Sequence, residues 1–156
     1  MRLNIIAIAL ALVSSPAWAQ STPVCEIFTK AEIAGLLGKP PAVTRSIMAP
    51  DTDCVWGVAG LTLNVGRTRS DDVEMIKGAV ESNLQNAAKG DIVTSEAGIG
   101  EAAVSIQPQY GRSLTLVFRS GKTLWSMNLE KVDKKLDVAA ALPKLRALAK
   151  KAAATP

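Results

Sequence analysis

Four stretches of this 156-residue chain alternate side chains with a period of two, and that alternation restricts the fold more than any other feature. Leu61, Leu63 and Val65 interleave with Thr62 and Asn64. Ala102, Val104 and Ile106 interleave with Ala103, Ser105 and Gln107. Leu114, Leu116 and Phe118 alternate with Thr115, Val117 and Arg119, and Trp125, Met127 and Leu129 with Ser126, Asn128 and Glu130. Successive residues of a strand point to opposite faces, so each run reads as a half-buried strand. Cys54 to Val58 joins them, linked to Leu61–Val65 through Ala59-Gly60, while Ser120-Gly121 turns the chain between the last two. Hairpin-connected strands of this kind make an antiparallel sheet.

Helical periodicity fills the gaps between the strands. Thr29-Lys30-Ala31-Glu32 is a capping box that starts a short helix carrying Ile33, Leu36 and Leu37, stopped by Gly38 with Pro40-Pro41 beyond. Over residues 70–88, Val73, Ile76, Val80, Leu84 and Ala87 fall at steps of three and four, with Ser70 or Asp71 as the cap. A third helix runs from about Asp137 to Lys151 and either bends or begins near Pro143. Residues 39–53 are rich in turn formers and read as a surface loop. The fold expected is α+β: an antiparallel sheet of about five strands with two to three helices packed on one face.

The amino terminus stands apart. Arg2, the apolar run Ile5–Val13 and Ala17-Trp18-Ala19 form a signal peptide over residues 1–19, cut before Gln20, leaving residues 20–156 as a single exported domain. Nine apolar residues are too few to span a bilayer, which needs about 20. Losing Arg2 reduces the net charge from +4 to +3, too little to indicate a polyanionic partner. The expected location is the periplasm or the cell exterior. In such a compartment an even pair of cysteines is bridged, so Cys25 and Cys54 are expected to close a loop of about 30 residues worth roughly 3–4 kcal/mol.

Much chemistry is excluded. With no histidine there is no imidazole base and no His-ligated metal, and two cysteines cannot build a four-thiolate site. Gly98-Ile99-Gly100-Glu101-Ala102-Ala103 has the spacing of a dinucleotide-binding turn, but a strand follows it where that motif requires a helix. Asp51 and Asp53 lack the remaining ligands of a calcium loop. Asp71, Asp72 and Glu74 are explained by the dipole of the helix they open. No Ser-x-x-Lys or G-x-S-x-G motif occurs. No metal and no cofactor are expected, and no nucleic acid.

One pattern is familiar. A cysteine opens a short helix (Cys25 to Gly38), a second begins a Cys-x-Trp strand (Cys54-Val55-Trp56), and a Gly-x-Gly-acid-Ala-Ala turn (Gly98 to Ala103) enters a strand before a closing hairpin and an Ala/Leu helix. This resembles small exported bacterial domains common as actinobacterial lipoproteins, and the extracellular sensor domain of some mycobacterial serine/threonine kinases. The chain departs from them in lacking a lipid-attachment cysteine and any kinase or transmembrane part. The resemblance implies a fold and ligand or partner binding, with no catalytic residue.

The leading functional expectation is thus a non-catalytic, disulfide-stapled binding or sensor-like module whose partner is an unknown envelope protein or a small ligand. The partner-binding residues expected from exposure are Arg45, Met48, Arg112, Arg119 and Lys122. One alternative is a small exported hydrolase with a Ser/Lys or paired-carboxylate site assembled from distant segments. Another is a peripheral membrane-surface protein acting through the basic C-terminal helix, residues 134–151. Membrane contact there is the less favoured reading, because the apolar face of that helix is also what a core-packing helix needs.

Overall fold

The computed structural model of the protein describes residues 22–45 and 52–155; residues 1–19, expected to be a signal peptide, and Met48 lie outside them. In chain order the elements are α1 (Val24–Ile27), α2 (Lys30–Leu37), β1 (Ala42–Arg45), β2 (Asp53–Val58), β3 (Leu61–Arg69), α3 (Val73–Gln85), β4 (Ile92–Ser95), β5 (Ala102–Gln107), β6 (Ser113–Ser120), β7 (Thr123–Lys131) and α4 (Val138–Ala153). All seven strands join one sheet in the order β1-β2-β3-β7-β6-β5-β4, every neighbouring pair antiparallel. The central pair β3–β7 is matched from Leu61 opposite Lys131 to Arg69 opposite Thr123.

The architecture is the expected antiparallel α+β fold, with two more strands than the pattern indicates. Part of the expected loop, Ala42–Arg45, pairs with β2 as an edge strand, and Ile92–Ser95 forms the opposite edge. Four-residue strands are too short to display a period, and three of the four β4 side chains are exposed, so neither leaves an alternating signature. Short edges also limit pairing with foreign strands.

Helices cover both faces of the sheet, not the single face that the sequence suggests, because α3 packs on the side opposite α1, α2 and α4. On one face Leu63 and Val65 (β3), Leu114, Leu116 and Phe118 (β6), and Trp125, Met127 and Leu129 (β7) form the main core. There they meet Val24, Ile33 and Leu37 of α1 and α2 and Leu145, Leu148 and Ala152 of α4. Val117, beside Phe118 in β6, necessarily points the other way and packs with Val104 and Val80 under α3. Strand β5 is therefore covered twice: Ala103 faces the main core, while Ala102, Val104 and Ile106 face α3. Its alternating residues look across to a different helix from those of β6 and β7.

The ends of the elements are held by specific chemistry. The disulfide joins Cys25 in α1 to Cys54 in β2 with the Cα atoms 5.2 Å apart, and Phe28 meets Trp56 edge-on with ring centres at 5.8 Å. The Thr29/Glu32 capping box forms as expected. Asp72, rather than Ser70 or Asp71, caps α3 by accepting from the Met75 N–H; Ser70 Oγ instead accepts from the Asp72 N–H. Helix α4 starts on Asp137 and runs through Pro143 without ending. Arg67 contradicts its hydrophilic character: it is 4% exposed, with its guanidinium 5.5 Å from the centre of the Trp125 ring, which stacks in turn on Phe118.

The Gly98-to-Ala103 segment is a turn that locks the fold. Ile99 inserts into the main core at 1% exposure. Gly100, with φ of 54°, lies so close to β6 that a Cβ there would collide with the Arg119 carbonyl oxygen. The Glu101 N–H donates to that same carbonyl at 2.8 Å, and the Glu101 carboxylate accepts from the Gly121 N–H and pairs with the Arg119 side chain.

Candidate functional site

The strand directions bring the β2–β3 turn, the β5–β6 loop and the β7–α4 connection to one end of the sheet. Backbone hydrogen bonds fasten these segments together. The Lys131 N–H donates to the Arg112 carbonyl (2.8 Å), the Leu136 N–H to the Gly111 carbonyl (2.7 Å) and the Val132 N–H to the Gly60 carbonyl (2.9 Å). Between them opens a cleft of about 600 Å³ lined by Gln109, Tyr110, Arg112, Asp133, Lys134 and Lys135. The Lys135 stem runs beside Gly111, 3.9 Å from where a Cβ would stand, so its ammonium reaches past the loop toward water. Tyr110 is 72% exposed.

Five of the cations elsewhere on the described surface are held in ion pairs. Arg119 pairs with Glu101, Lys122 with Asp71, Arg146 with Glu96, Lys151 with Glu32 and Lys77 with Glu74. Among the described residues no carboxylate pairs with Arg112, Lys134 or Lys135. Three cations thus share one cleft with a single carboxylate, Asp133, which lies over Gly60. Like charges held together without counter-charges raise the local potential for an anion.

The expected partner-binding residues do not form one surface. Arg112 and Arg119 sit at opposite ends of β6, seven residues or roughly 23 Å apart at the usual strand rise. Arg119 and Lys122 belong to the far end and are already paired. Arg45 closes β1 opposite Cys54, also at that far end, and Met48 lies outside the described residues. Only Arg112 enters the cleft, where it is joined by Tyr110, Lys134 and Lys135, none of them expected from the sequence as partners of Arg112. The available signal was the single tyrosine, set in a Gly-containing turn beside an arginine.

Other candidates carry less. A second cleft of about 360 Å³ lies between α3 and the sheet, with Val80, Leu84, Ala102 and Val104 as its apolar part. Three of its four charged residues, Lys77, Arg119 and Glu96, are each neutralised by a partner, and the fourth, Glu81, has no ion pair among the described residues. The buried hydroxyl of Ser105 donates to Glu96 at 2.7 Å, and among the described residues no serine hydroxyl is hydrogen-bonded to a lysine. Burial raises the Glu96 pKa, but the hydrogen bonds from Arg146 and Ser105 outweigh it and hold the carboxyl below its usual range. Asp71, Asp72 and Glu74 are committed to Lys122, the α3 cap and Lys77. Helix α4 has its apolar face in the core, and three of its cations are engaged: Lys144 with the Gly35 carbonyl, Arg146 with Glu96 and Lys151 with Glu32. The chain matches no protein-family model, no curated protein and no solved structure.

Proposed function

We propose that the protein is a non-catalytic, exported binding module whose ligand is anionic and docks at the Arg112–Lys134–Lys135 cleft. The observation carrying this reading is the charge imbalance within the cleft: Arg112, Lys134, Lys135 and Tyr110 line one opening against one carboxylate, Asp133, and among the described residues none of the three cations has an ion-pair partner. Arginine supplies a fork suited to phosphate or carboxylate oxygens, and lysines add point charges. Export accounts for the disulfide, and no described helix is long and apolar enough to cross a membrane. A role in the periplasm or outside the cell, like that of the sensor domains its motifs resemble, fits these features.

The test is a titration with inorganic polyphosphate followed by amide NMR. Shifts should concentrate at residues 108–112 and 132–136 and vanish in the R112Q/K134Q/K135Q variant. Shifts centred on Arg69 and Lys122 at the opposite end, or none at all, would refute the reading.

A further inference from the structure

We infer that the anion this cleft meets is the headgroup layer of an acidic lipid bilayer, and that the sheet end around it is a membrane-docking tip. The inference rests on the anion-binding reading above and adds the source of the charge. The described residues expose five large apolar side chains, and three of them stand at this end. Ile92, 60% exposed, opens β4 opposite Gln107, the last residue before the β5–β6 loop. Tyr110 projects from that loop, and Val132, 56% exposed, follows β7 with its N–H on Gly60.

A site for a free phosphate needs donors and has no use for water-exposed isoleucine, tyrosine and valine. A bilayer interface uses both kinds of group: cations are drawn to acidic headgroups, and an aromatic ring with aliphatic neighbours buries at the headgroup level. The segments carrying Tyr110 and Val132 are fastened to one another by the backbone hydrogen bonds at Arg112, Gly111 and Gly60, and the Gln109 N–H donates to the Asp91 carboxylate beside Ile92 at 3.2 Å, so the tip is presented preformed. Helix α4, the other basic element, has no apolar face left for lipid.

The experiment is co-sedimentation with phosphatidylglycerol/phosphatidylcholine vesicles against pure phosphatidylcholine vesicles. The protein is used as its export leaves it, so wild type and variants share one amino terminus. Wild type should pellet preferentially with the acidic vesicles. Each of R112Q, K134Q and K135Q should weaken that partition about fivefold, as expected for loss of one cation near an acidic surface. Y110S and I92S should weaken it several-fold, and their effect should persist in high salt, where the charge contribution is screened. No preference for acidic vesicles, or wild-type partition by the triple charge variant, would overturn the inference. Unchanged partition by both Y110S and I92S would overturn it as well. If polyphosphate still shifts the cleft in any of these cases, the docking tip falls and the anion-binding module stands; if polyphosphate fails too, both fall.

Discussion

Replacing Gly100 by alanine should destabilise the protein far more than the same change at Gly98, two residues away in the same turn. Both glycines have positive φ, 72° at Gly98 and 54° at Gly100. An alanine held there costs about 1–2 kcal/mol from the contact of its Cβ with its own backbone. At Gly98 little is added, because the nearest atoms to a new Cβ are the end of the flexible Lys150 side chain at 4.0 Å. At Gly100 the obstacle is backbone: the Arg119 carbonyl lies in the path, with the Ser120 nitrogen at 3.6 Å. Strand β6 is paired on both sides and cannot step aside, so the turn must move. That movement gives up the Glu101 N–H bond to Arg119, worth about 1 kcal/mol, and draws Ile99 partly out of the core at a further 1–2 kcal/mol or so.

The totals are about 3–5 kcal/mol at Gly100 and about 1–2 kcal/mol at Gly98, which separates the two variants by roughly 1–2 M in urea midpoint. Urea unfolding followed by tryptophan fluorescence reads this directly. A turn built to receive a pyrophosphate would leave open space at Gly100, and the two alanine variants would then be nearly alike. Coincident midpoints would refute the assignment of this turn as a fold-locking element.

Three further outcomes follow from the same geometry. Glu32 accepts from Lys151 and from the Thr29 N–H, and these bonds depress its pKa to about 2 from an ordinary 4.5. The stability it supplies is thus full above about pH 4.5 and lost as pH falls toward 2, and E32Q should cost about 1 kcal/mol at neutral pH, fading over that window in pH-dependent thermal melts. The figure lies well under what the shift alone converts to, because 36% of the Glu32 side chain is in water. E96A leaves the buried Ser105 hydroxyl without its acceptor and the part-exposed Arg146 without its ion pair, and should cost about 1–3 kcal/mol in urea unfolding, with E96Q milder. The denatured, unreduced protein should titrate no free thiol, and the paired replacement C25A/C54A should lower stability by about 3–4 kcal/mol.

The parts of the fold legible in the sequence were those whose energetics are local. The Thr29/Glu32 box, the strands 61–65, 114–118 and 125–129, and the α3 stripe each follow from a repeat or cap within a few residues. The edges β1 and β4 were not legible, since each is defined by a partner strand rather than by its own pattern. The side of the sheet on which a helix lands was equally hidden. Alternation says that Val104 and Leu116 are buried, but only the register, which sets Ser105 opposite Leu116, places Val104 under α3 and Leu116 under α4. Arg67 shows the same limit in reverse, because its burial depends on Trp125 lying across the central strand pair.

The cleft was hidden for a related reason, and the reason bears on how such sites arise. Read along the chain, Lys134 and Lys135 belong with the basic helix that follows, and Arg112 with the hairpin of Arg119 and Lys122. The meander separates them otherwise: reversal between β6 and β7 returns the chain to the Arg112 end at Lys131, with Arg119 and Lys122 left at the other. The connection into α4 then lays Lys134 and Lys135 beside Arg112. At the far end Asp71 and Glu101 neutralise the cations the hairpin exposes, whereas at the near end Asp91, Glu130 and Asp133 form no ion pair with Arg112, Lys134 or Lys135. The net charge of +4 therefore says little, whereas its distribution says more: three cations without ion-pair partners share one cleft at the end where Ile92, Tyr110 and Val132 also meet water. Cations that merely kept the protein soluble would have no reason to share one end with the exposed apolar side chains, and a surface made to meet acidic headgroups would.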